Sequence, residues 1–184
     1  MPGDLKQRLC EAFSWSEGKD TEYADPSGWW RDPALLRDTA AALAALHGRT
    51  VPTVVAGIES IGFILGTAVA IDLGVGFVEI RKDVRRALDP DESLLRSATP
   101  PDYNQRDLVL TLQRGRIRPS DRVLVVDEWM ATGAQATAAR DLIESAEGKW
   151  VGVALVVEDV PAQVRRRLNV LSLLRKHELP WWHR

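Results

Sequence analysis

Apolar positions change their period along this chain, and the changes divide it into elements. Leu35, Leu36, Thr39, Leu43 and Leu46 recur at helical spacing. Asp32-Pro33 supplies an N-cap and a proline at the first helical position, and His47-Gly48 closes the helix. Beyond Gly48 the pattern shortens and becomes β-branched. Residues 52–56 and 76–80 predict two strands joined by a small-residue helix over 62–73, in which Gly62 and Gly66 allow close approach to a sheet. Residues 122–126 predict a third strand, followed by a loop and a helix through Ala136, Ala139, Leu142, Ile143 and Ala146. A fourth strand is predicted at 150–157, a short helix at 161–167 and a last strand at 170–173. Near-continuous apolar strands alternating with helices imply a mostly parallel sheet covered on both faces, an α/β doubly wound fold. Ligands of such sheets gather beyond the carboxyl ends of the strands, which brings the loops at 57–62, 81–105 and 127–135 to one crevice.

Two stretches stand outside this alternation. Residues 1–32 hold Trp15, Tyr23, Trp29 and Trp30 among Gly, Pro, Asp and Ser, and read as a small N-terminal hood of loops and short helices. Residues 81–105 are polar and carry Arg81, Lys82, Arg85 and Arg86 with Pro90, Pro100 and Pro101. A stretch of that length is expected to be a flexible lid over an anionic ligand or a solvated surface excursion.

Composition narrows the class. A chain of 184 residues with 45 % hydrophobic and 27 % charged content reads as one domain with a core of its own. Cys10, the single cysteine, excludes an intrachain disulfide and a cysteine-rich zinc site, and the three histidines show no metal-ligand spacing. The net charge of −2 gives no global attraction to nucleic acid or membranes. No apolar run approaches the roughly 18 residues of a membrane span, and no signal peptide opens the chain, so a cytoplasmic protein is expected. Arg165-Arg166-Arg167 reads as a solvated face or a nucleic-acid contact, and Trp181-Trp182 as a segment docked on the core or a partner subunit.

The segment from Val123 to Thr137 carries the most chemistry. A buried strand ends in Asp127-Glu128, and a small-residue turn, Ala131-Thr132-Gly133-Ala134-Gln135, enters the following helix. Such a turn wraps backbone N–H groups around a phosphate at a helix N-terminus, with the Thr132 hydroxyl as a further donor. The carboxylates just upstream suit the vicinal hydroxyls of a sugar. Together they suit a sugar 5-phosphate; alternatively, the acids merely cap the strand.

This segment resembles the PRPP-binding motif of type I phosphoribosyltransferases. Residues 54–66 and 73–82 resemble adenine phosphoribosyltransferases in particular, as do Arg31-Asp-Pro-Ala-Leu-Leu-Arg37 and Pro119-Ser-Asp-Arg-Val-Leu124. The resemblance implies that Asp127 and Glu128 bind the ribose hydroxyls and that Ala131, Thr132, Gly133, Ala134 and Gln135 cradle the 5-phosphate. It implies a pyrophosphate loop at Glu59, Ser60 and Ile61, with Arg81 and Lys82 at the base of the lid, and catalytic roles for Asp127, Glu128 and Arg81. Mg²⁺ would be held by substrate oxygens and water rather than by protein ligands. Trp29, Trp30 and Arg31 match the segment that covers the base, with Trp129 as a rival from below; the tryptophan pair reads equally as packing on the sheet edge. The family carries Arg where Ile61 stands, Asp at Glu128, Thr at Gln135 and Leu at Trp129. Its lid Glu has no counterpart beside Tyr103, where Asp102 and Asp107 are the nearby acids. The expected activity is transfer of 5-phosphoribosyl from PRPP to a purine or purine-like nucleobase with release of pyrophosphate, by a homodimer. The alternative is a PRPP-binding regulatory protein with little turnover.

Overall fold

The computed structural model describes residues 3–17, 22–83, 92–100 and 108–180. The chain begins with α1 (Gly3–Glu11), an antiparallel hairpin of β1 (Ser14–Glu17) and β2 (Glu22–Asp25), and α2 (Gly28–Arg31). Then follow α3 (Pro33–Leu46), β3 (Val54–Ile58), α4 (Ile61–Leu73) and β4 (Gly76–Asp83). β5 (Leu94–Ala98), β6 (Val109–Gln113), β7 (Arg122–Met130), α5 (Ala134–Ser145) and β8 (Lys149–Glu158) continue the fold. It closes with α6 (Ala162–Leu168), β9 (Val170–Arg175) and a single 3₁₀ turn, Lys176–Glu178.

Among the described residues seven strands form one sheet in the order β5-β6-β4-β3-β7-β8-β9. The run from β4 to β9 is parallel, and β6 and β5 add antiparallel strands at one edge. Strand alternation explains the double covering. Val55, Leu124, Val126, Ala154 and Val156 face a layer built from α1, α2, α3 and α4, with Leu9, Trp29, Leu43, Leu65 and Val69 buried there. Val54, Ala56, Val123, Val125, Val153 and Leu155 face the other layer, where Ala139, Leu142 and Ile143 of α5 and Leu168 of α6 close the core. The expected N-cap of α3 is present: Leu35 N donates to Asp32 Oδ1 at 2.8 Å. No helix among the described residues is long and apolar enough to cross a membrane.

The structure departs from expectation at two places. The hood contains the β1–β2 hairpin as well as short helices. Within 81–105, Arg81–Asp83 prolong β4, and β5 pairs with β6, which in turn pairs with β4. Only Leu95 is buried in β5, so too few apolar positions mark it as a strand. Residues 84–91 and 101–107, with Asp102 and Asp107, lie outside the described residues, as do Trp181 and Trp182.

Candidate functional site

β3 and β7 are parallel neighbours, with Gly57 opposite Val126, so the turns leaving their carboxyl ends stand side by side. The first turn requires glycine at 57 and favours it at 62. A Cβ on Gly57 would lie 2.1 Å from Gly62 O, and one on Gly62 would lie 3.1 Å from Val126 O and 3.2 Å from Asp127 Oδ1. The two turns enclose a cavity of about 490 Å³. Glu59, Ser60 and Ile61 line one side and Asp127 through Ala136 the other, with Lys82 and Ala24 at the margins.

Strict alternation would send Asp127 and Glu128 to opposite faces of β7. The alternation slips instead: Val126 and Trp129, three residues apart, both pack on the α3–α4 layer, while Met130 joins the other. Both carboxylates therefore line the cavity. Glu128 N donates to Asp127 Oδ1 at 3.0 Å. Burial pushes the Asp127 carboxyl well above the usual carboxylate range, and the side chain and negative charge of Glu128 push the same way, while the Glu128 backbone N–H pulls it back. Lys82 opposes the shift. A group carrying hydroxyl donors or positive charge would relieve this crowding.

Gly133 opens α5 with φ of +78°, a left-handed conformation glycine adopts freely. The first i−4 bond of the helix runs from Thr137 N to Gly133 O at 2.9 Å, so the amides of Gln135 and Ala136 precede the intrahelical ladder. Ala134 N donates to Thr132 Oγ1 at 3.2 Å. Free amides at a helix N-terminus, beside the exposed Thr132, make a seat for a phosphate-sized anion. Ala131, Thr132, Gly133, Ala134 and Gln135 all line the cavity, as the sequence led one to expect.

Lys82 and Arg81 part company. Lys82 reaches the cavity, and its backbone N donates to Glu59 Oε2 at 2.9 Å, tying β4 to the first turn. Arg81, one residue earlier on the strand, points to the opposite face. Its Nη2 lies 2.7 Å from Glu79 Oε2 and its guanidinium carbon 5.7 Å from the centre of the Phe63 ring. The structure does not bring Arg81 to the cavity of this chain.

The aromatic candidates also separate. Trp29 is wholly buried, and its Nε1 donates to Leu9 O at 2.8 Å. Its ring packs on Phe13 at 5.7 Å, so neither face is open to a ligand. Trp30 is half-buried against the same core and Arg31 is exposed, and neither lines the cavity. Trp129 does line it, stacked on Phe13 at 6.4 Å with Trp15 edge-on at 6.4 Å. Phe13 and Trp15 thus pack against Trp129, with Trp29 behind Phe13.

Sequence reasoning missed Ala24, Ile58, Val125, Met130, Ala136 and Val153 in the lining. Ala136 and Met130 could have been found from their places flanking the small-residue turn. Ala24, on the hood hairpin, carries no chemical signal. No group of three or more His, Cys, Asp or Glu positioned to hold a metal occurs among the described residues.

Comparison with known proteins places this geometry in a family. The model of the phosphoribosyl transferase domain matches residues 31–183. The adenine phosphoribosyltransferase of Natranaerobius thermophilus is 35 % identical over 142 residues, 76 % of this chain and 78 % of the relative. That of Francisella philomiragia is 39 % identical over 149 residues, 78 % of this chain and 82 % of the relative. The crystal structure of the adenine phosphoribosyltransferase of Rhodothermus marinus superposes with a TM-score of 0.78 at 30 % identity, over 94 % of this chain and 98 % of the other.

Proposed function

The chain belongs to the phosphoribosyltransferase family, type I in fold and similar to adenine phosphoribosyltransferases, and we propose that it transfers 5-phosphoribosyl from PRPP to a purine base. The observation that carries this reading is a single cavity lined by the acid pair, the N-terminal turn of α5 and the Glu59–Ile61 turn. The ribose hydroxyls donate to Asp127 and Glu128, and the 5-phosphate accepts from the amides of 131–135 and from Thr132. The pyrophosphate lies toward Ser60, Ile61 and Lys82. The anomeric C–O bond to pyrophosphate breaks as a base nitrogen bonds to the same carbon, and that nitrogen gives up its proton. The transition state is oxocarbenium-like, so positioning and stabilisation of the leaving group's charge dominate. The base sits against Trp129 at the hood end. The relatives named above are all transferases, which lends nothing to the regulatory alternative.

Mg²⁺ fits the donor set. Glu59, Asp127 and Glu128 offer hard oxygen ligands without forming a cage of their own, which suits a cation held mainly by substrate oxygens and water. When bound it would screen the charge of the pyrophosphate.

We also infer a homodimer. α4 presents Ile64 and Ile71, 41 % and 76 % exposed and seven residues apart, on one side. Phe63 and the Arg81–Glu79 pair adjoin them, which makes this face suited to a second copy of the chain. Ile71→Glu should then halve the mass seen in sedimentation.

The activity is tested by screening nucleobases with PRPP and Mg²⁺, reading pyrophosphate release and the mass of the nucleotide. One or more purines should yield both products. A folded protein that releases no pyrophosphate with any base overturns the reading.

A further inference from the structure

Arg165-Arg166-Arg167 does not form one basic patch, because α6 divides it. Arg167 Nη2 donates to Thr137 Oγ1 of α5 at 3.0 Å. Arg165 turns the other way and meets Glu158, Nε to Oε2, at 3.1 Å. Glu158 ends β8 with its side chain only 7 % exposed. Arg175, its register partner on β9, approaches the other carboxylate oxygen through Nε at 3.4 Å. Lys176 Nζ pairs with Asp159 Oδ2 at 2.8 Å. With His177 these groups line a second cavity of about 590 Å³ at the carboxyl ends of β8 and β9. It shares no lining residue with the first, from which it is separated by the Met130–Glu158 pairing of β7 and β8.

Burying a carboxylate is costly unless it is paired. Here one buried carboxylate lies between two arginines, each approaching through Nε by charge contact while Glu158 Oε2 accepts no hydrogen bond, which leaves the Nη donors for a ligand. Two planar forks drawn to one counter-ion stand close enough to serve a single anion that accepts several parallel N–H bonds. Three lining cations face two carboxylates, so one positive charge is left over, with His177 beside it. Phosphate, with several acceptor oxygens on one centre, answers both forks at once.

We propose that this cavity is a second anion site, which takes a phosphate group, either free or carried on a nucleotide. The site adjoins the first mechanically. Val164 of α6 stands where a Cβ on Gly133 would come within 2.5 Å of its Cγ1, so the helix that carries Arg165 also backs the turn 131–135.

His177 reports on this cavity alone. Ring ¹H–¹³C spectra of the full chain, recorded at constant ionic strength with inorganic phosphate added, should show a saturable shift of His177. His47, buried with its Nε2 3.2 Å from Val153 O, should not move. Arg165→Lys with Arg175→Lys keeps Glu158 neutralised but removes the forks, and should raise the half-saturating concentration about tenfold. The triple variant Glu158→Gln, Arg165→Gln, Arg175→Gln leaves no buried charge unpaired and should abolish the shift. A parallel titration with a nucleoside 5′-monophosphate separates the sources: tighter saturation assigns a nucleotide, weaker or equal saturation assigns free phosphate. A shift that grows linearly with phosphate, or one equal in wild type and variants, overturns the site. The readout needs neither PRPP nor a base, so it stands or fails apart from the transferase reading.

Discussion

The two ends of the main cavity are built by different means. At the end proposed for the sugar phosphate, backbone does the work: Gly57, Gly62 and Gly133 bring peptide groups where a side chain would clash or crowd, and the acids follow from their place on β7. At the hood end, side-chain packing does it. Trp129 faces the cavity with Phe13 and Trp15 packed against it and Trp29 behind Phe13. The backbone turns rest on nearer contacts, Gly57 on Gly62 and Gly133 on Val164, whereas the aromatic wall depends on residues a hundred or more positions away in sequence. Substrate choice should therefore be the adjustable property and PRPP binding the fixed one.

The sharpest way to break this contrast is Trp29→Ala. Removing a fully buried indole and its hydrogen bond to Leu9 O should cost about 3–5 kcal/mol in denaturant unfolding. The molecules that remain folded should bind PRPP as before, and a change in PRPP affinity would erase the division between the two ends. Asp127→Asn with Glu128→Gln attacks the other end. Titration calorimetry should show PRPP affinity lowered by about 100-fold, since charged hydrogen bonds are worth about 1.5–3 kcal/mol each. The fold should survive, and unchanged affinity would remove the acid pair from the ribose site. Trp129→Ala should raise the KM for the base by about one to two decades, the worth of one stacked ring, with the KM for PRPP little moved.

A smaller effect concerns the free protein. The Asp127 carboxyl is held above its unfolded value by burial and by Glu128. Its ionisation therefore opposes folding: stability falls as pH rises from the unfolded value, about 3.9, through the raised folded one, and stays lower above it. Asp127→Asn should then melt higher than wild type at neutral pH by a few degrees, with the gain fading toward pH 3. A gain independent of pH would mean that the carboxyl is not the source.

Much of this site was legible because its signals are local. The order strand, two acids, small-residue turn, helix lies within fifteen consecutive positions, and the phosphate seat follows from it. What escaped was whatever depends on facing. Nothing in Val126–Met130 announces that alternation slips there, although the slip is what brings Asp127 and Glu128 together. The family resemblance assigns Arg81 and Lys82 to the pyrophosphate together, yet a strand continued to Asp83 sends neighbours to opposite faces. Trp29 and Trp30 offered rings without saying what lay behind them. Composition names a candidate for stacking, and only packing shows whether its face is open.

The contact of Gly57 with Gly62 bears on descent. A Cβ on Gly57 collides with main chain and one on Gly62 crowds Val126 O and Asp127, so folding demands glycine at 57 and favours it at 62 whether or not any reaction takes place. A descendant that gave up turnover would still be held to them. The acid pair is under the opposite pressure, since burial and Glu128 disfavour ionised Asp127 and the hydroxyls of a ligand would offset this. Among paralogues, the glycine turn should therefore outlast the acid pair wherever turnover is given up.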